Sequence, residues 1–66
     1  MEWIVVIIYL GVAYDGPFNK TDAEREVSAW KRYGCKSKMF RQDVSPAVIA
    51  AWVIKSAPAA SLRRAS

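Results

Sequence analysis

Residues 3–10 read Trp3-Ile4-Val5-Val6-Ile7-Ile8-Tyr9-Leu10, a run without a single charged or amide side chain, in a chain of only 66 residues. From Ile4 to Ile8 every side chain is β-branched, which stiffens χ1 and favours an extended strand over a helix. Laid out as a strand, the run sends Trp3, Val5, Ile7 and Tyr9 to one side and Ile4, Val6, Ile8 and Leu10 to the other. Neither side is polar, so both need cover. The reading is a central strand sandwiched between helices, or one that borrows cover from a partner chain.

Outward from this run, Gly11 interrupts the apolar pattern. Val12, Ala13 and Tyr14 then resume an extended one until Asp15-Gly16-Pro17 breaks it. This predicts a hairpin with Leu10-Gly11 as its tight connection. Pro17 lacks an N–H and belongs at the end of an edge strand. Thr21-Asp22-Ala23-Glu24 matches the capping box, in which the threonine hydroxyl accepts from an amide three residues on and the glutamate reaches back. Asp22 and Glu24 suit the positive end of a helix dipole, Lys31 and Arg32 its negative end, and Gly34 supplies a left-handed stop. The spacing predicts a helix over 22–33 with an apolar stripe of Ala23, Val27 and Trp30.

Residues 35–42 alternate lysines with Ser37 and Met39 and predict a third strand at an edge, where exposed cations discourage strand addition. Ser45-Pro46 opens a second helix, with serine as cap and proline at the first helical position. From Ala47 to Ile54 that helix is apolar all round. The predicted class is α+β: a single ββαβα domain over residues 1–57, with an antiparallel sheet, one capped helix and one very apolar C-terminal helix. A flexible basic tail is expected at 58–66.

Composition narrows the chemistry. The net charge is +4, there is no histidine, and Cys35 is the single cysteine. An internal disulfide is therefore impossible, and with no histidine neither a metal site nor a cofactor is expected. The lone thiol fits a reducing, cytoplasmic setting. The uncharged stretch Trp3–Tyr14 spans 12 residues, short of the roughly 20 a membrane-spanning helix needs. Glu2 stands where a signal peptide would carry basic residues. Cys35 has no histidine to activate it, and the carboxylates sit mainly at turns and in the first turn of the first helix. The chain is therefore read as non-enzymatic.

Two surfaces are candidates for function. A sheet can cover only one side of the helix from Ala47 to Ile54, so the remainder predicts a partner or dimer interface built from Val48, Ile49, Trp52 and Val53, with the tryptophan as anchor. The second is the segment 31–41, which holds Lys31, Arg32, Lys36, Lys38 and Arg41, contains no anion, and has Tyr33 and Phe40 interleaved. It reads as a solvated edge, or as a patch for nucleic acid or an acidic protein surface. Leu62-Arg63-Arg64-Ala65-Ser66 has the two-arginine spacing favoured by basophilic kinases, a pattern too short to stand out from chance.

The succession of an aromatic-aliphatic strand, a short turn, a second strand ending in Gly16-Pro17-Phe18 and an acidic capped helix rich in alanine resembles a group of short bacterial and bacteriophage ββαβ proteins. The resemblance covers Trp3 to about Gln42. It implies a ββαβ fold and a bacterial or phage setting; the small size, basic charge and lack of catalytic groups in turn resemble phage accessory proteins that bind and block a host protein machine, such as a defence complex, a polymerase or a pilus-assembly motor, in the host cytoplasm. It carries over no catalytic residue. With the apolar second helix, the leading expectation is a homodimeric inhibitor of a host protein. A small nucleic-acid-binding module and a small membrane-associated protein are the alternatives.

Overall fold

The run that is apolar on both sides takes the one position in a three-stranded sheet where both sides can be covered, the middle. The computed structural model describes residues 2–56 and shows an α+β chain: β1 (Trp3–Ile8), β2 (Val12–Phe18), α1 (Lys20–Arg32), β3 (Lys36–Arg41) and α2 (Pro46–Ser56). The strand order is β2-β1-β3, antiparallel throughout. The predicted tail at 58–66 lies outside the described residues.

Each side of β1 builds its own core. Val5 and Ile7 pack with Ala23 of α1 and Cys35, walled by Trp3, Phe18, Val27, Trp30 and Met39. Val6 packs with Phe40 and Ile49 of α2, walled by Ile4, Val44, Trp52 and Val53. The two helices therefore lie on opposite faces of the sheet, as the two-sided run requires.

Three local expectations need correction. The strand ends at Ile8, not Leu10, and the connection is the three-residue turn Tyr9–Gly11, in which the Tyr9 amide donates to the Gly11 carbonyl at 2.9 Å. The left-handed residue of this turn is Leu10 (φ 57°), not the glycine beside it. Second, β2 does not break at Asp15 but continues to Phe18 through a bulge. Val5 faces Asp15 while Trp3 faces Phe18, so β2 holds one more residue than β1 over this step. Gly16 makes the bulge possible: its φ is +123°, and a Cβ there would lie 3.0 Å from the Trp3 carbonyl oxygen.

Third, α1 starts earlier than the capping box suggests. Its cap is Asn19, whose side-chain oxygen accepts from the Asp22 amide at 2.8 Å, and Thr21 already lies inside the first turn. The asparagine wins because it has extended backbone angles (φ −73°, ψ 170°), the geometry that turns a cap side chain back over the first turn. The far end is as expected. Gly34 is left-handed (φ 82°), its amide donates to the Lys31 carbonyl, and the Cys35 amide donates to that of Trp30, both at 3.0 Å. These bonds satisfy carbonyls the helix would otherwise leave open and drop Cys35 into the core opposite Trp30. On α2, Ser45 Oγ accepts from the Ala47 amide at 3.3 Å with Pro46 at the first helical position.

Candidate interaction surface

The inward stripe of α2 is Ile49, Trp52 and Val53, spaced so that they share one helix face. Ile49 is buried, and the Trp52 ring meets Phe40 edge-on at 5.8 Å between centroids. Of the four residues expected to form an interface, the structure brings these three together against the sheet and leaves Val48 outside, 50% exposed. Their neighbours complete the outer side: Ala47, Ala50 and Ala51 are exposed, as is Ile54 at 65%. From Pro46 to Ile54 this side carries no charge. Ile54 was missed as a site residue because the reading centred the exposed side on the tryptophan, which the apolar face of β1 and β3 instead draws inward.

A second exposed apolar region lies where β1 turns into β2. Ile8 is half-buried, while Tyr9, Leu10, Val12 and Tyr14 are exposed. Facing residues share a side of the sheet, so Val12, Ile8 and Lys36 form one row, and Tyr14, Val6 and Lys38 the next, all on the α2 side. A helix about 10 Å across spans roughly two strands at 4.8 Å spacing. Because α2 rests on Phe40 and Val6, the β2 side of this face stays open.

The basic segment is divided by the same alternation. Lys36 and Lys38 lie on the α2 side, where Lys38 Nζ stands 5.5 Å from the centre of the Phe40 ring. Arg41 pairs with Trp3, which faces α1, and reaches Asp43 at 3.6 Å. Lys31 and Arg32 form the last turn of α1. The five cations do not make one patch.

The remaining groups serve the fold. Cys35 is buried among apolar side chains, and the buried Ser37 hydroxyl donates to the Val27 carbonyl at 3.1 Å, tying β3 to α1. The Trp30 indole Nε1 is buried and lacks a hydrogen-bond partner among the described residues, a desolvation cost on the order of 1–3 kcal/mol. Surface recesses of about 290–460 Å³ are open; the smallest lies between Trp30 and the hairpin turn. Among the described residues no cluster of potential ligands could hold a metal ion, and no helix is long and apolar enough to cross a membrane. Comparison with protein-family models, curated proteins and solved structures finds no match to this chain.

Proposed function

We propose that this chain is a non-enzymatic protein-binding protein that pairs with a second copy through the outer side of α2 and presents the open part of its sheet to another protein. The observation that carries this reading is the outer side of α2, where Ala47, Val48, Ala50, Ala51 and Ile54 stand exposed with no charge among them. Alanines let a second helix approach closely, and flanking valine and isoleucine give the contact its apolar area. On the resemblance of its small size, basic charge and lack of catalytic groups to phage accessory proteins, the partner is a host protein machine and the effect is to block it.

Ala51→Glu tests the pairing, because the position is exposed and glutamate is a good helix former, so the fold is kept. Sedimentation of the wild type should show a dimer that this variant converts to monomer, with an unchanged circular dichroism spectrum. A wild type that stays monomeric at high concentration, or a dimer indifferent to the charge, sinks the pairing.

A further inference from the structure

Both sides of β2 meet water, but they differ in character. Towards α1 the strand shows Ala13 and Asp15; towards α2 it shows Val12, 43% exposed, and Tyr14, 63% exposed. A methyl group and a carboxylate need no cover, whereas valine and tyrosine continue the half-buried Ile8 into an apolar strip. Across that strip, on β3, stand Lys36 and Lys38. At about 4.8 Å per strand, Tyr14 and Lys38 are roughly 10 Å apart, the width of one helix. The described carboxylates lie elsewhere. Asp15 shares the face of Val5, Asp22, Glu24 and Glu26 belong to α1, Asp43 is held by Arg41, and Glu2 precedes β1 at the end away from Ile8.

We propose that this part of the sheet docks an acidic, apolar segment of a partner protein. Its apolar side chains rest on Ile8, Val12 and Tyr14, and its carboxylates reach Lys36 and Lys38. The inference rests on the reading that the chain binds protein, and charge complementarity selects the occupant. A second copy related by a two-fold axis would bring the same lysines and no carboxylate to the patch, so Lys36 and Lys38 would stay unpaired. Nucleic acid gains little: two lysines neutralise few phosphates, and Tyr14 is the single aromatic of the strip, a stacking surface for one base beside an isoleucine and a valine that offer none.

The test is a selection of displayed peptides on the full chain, subtracted with the Val12→Thr/Tyr14→Thr double variant. Both positions are exposed and threonine keeps the strand, so the variant removes the strip without removing the fold. Peptides that depend on the strip should pair aspartate or glutamate with large apolar residues. Lys36→Gln/Lys38→Gln should weaken them about tenfold, as should added salt. Neutral or basic strip-dependent peptides would overturn the acidic partner while leaving protein binding intact. No strip-dependent peptide at all would remove the docking site, and the Ala51→Glu dimer experiment would then decide separately whether protein binding falls with it. Tighter binding of a single-stranded oligonucleotide, or of phosphatidylserine vesicles, than of the best peptide, lost in the same lysine variant, would overturn the proposal in favour of that ligand.

Discussion

The two faces of β1 are equally apolar and are covered in different ways. Over Val5 and Ile7 lies a helix fixed at both ends, by the Asn19 side chain at its start and the left-handed Gly34 at its finish, and tied to β3 by Ser37. Over Val6 lies α2, entered through a serine cap and held by one stripe of Ile49, Trp52 and Val53. The first face is closed over Val5 and Ile7, leaving Ala13, Asp15 and the recess between Trp30 and the hairpin turn at its margin. The second leaves Val12 and Tyr14 open and adds a further apolar surface on the back of its own helix. The comparison separates the side that holds the fold together from the side on which we propose that partners dock.

Val5 and Val6 measure this difference directly, since both are 0% exposed and adjacent in one strand. A chain of this length is stable by roughly 3–10 kcal/mol. Val5→Ala should cost about 2–3 kcal/mol, because a helix fixed at both ends cannot settle into the cavity. Val6→Ala should cost less, about 1–2 kcal/mol, because α2 can shift to fill the space. Urea titrations of the two variants check this, and equal costs would mean the two covers are equally firm.

Ile49→Ala sharpens the same contrast. It should cost about 2 kcal/mol, the low end for a buried isoleucine, with the loss concentrated in α2. Hydrogen exchange should show the α2 amides losing protection while those of β1 and α1 keep theirs. Uniform loss across the sheet would show that α2 is as integral as α1.

The central strand, the two-layer cover, the edge position of β3 and the Gly34 stop were legible because each follows from a pattern within a few residues. Alternation in a run apolar on both sides admits one place in the sheet. The misreadings have a common source, competition between adjacent candidates. Asn19 and Thr21 both suit a helix cap, and Leu10 and Gly11 both lie in the turn; backbone angles that no local pattern specifies decide between them. The inward turn of Trp52 was hidden for a different reason. On a helix apolar all round, the stripe that faces the sheet is chosen by Phe40 and Val6, which are distant in sequence.

The cap assignment predicts opposite signs at neighbouring positions. Asn19→Ala should destabilise by about 1 kcal/mol, since the Asp22 amide loses its acceptor. Thr21→Ala should be neutral or slightly stabilising, because inside the helix alanine is the better former. Thermal melts of both distinguish the assignments, and a larger loss at Thr21 would restore the capping box.

The smallest expected effect carries information about both faces, because it concerns the turn where they meet. Leu10 holds a left-handed backbone and is 94% exposed, so it pays twice for a place in which it contributes nothing to the core. The left-handed conformation costs a non-glycine residue about 1–2 kcal/mol. Glycine relieves that cost but loses more freedom on folding, by roughly 0.5–1 kcal/mol, so Leu10→Gly should stabilise by about 0.5–1 kcal/mol net. Leu10→Asn should do the same, since asparagine tolerates this region. A rise of a few degrees in Tm, at about 4–8 °C per kcal/mol for a small domain, is the expected reading. An unchanged or lowered Tm in both variants would mean the turn is not strained. If the same variants also weaken strip-dependent peptides, the leucine is held there for the partner; if they stabilise the chain and leave binding intact, docking is confined to Ile8, Val12 and Tyr14, and the turn is only a connection.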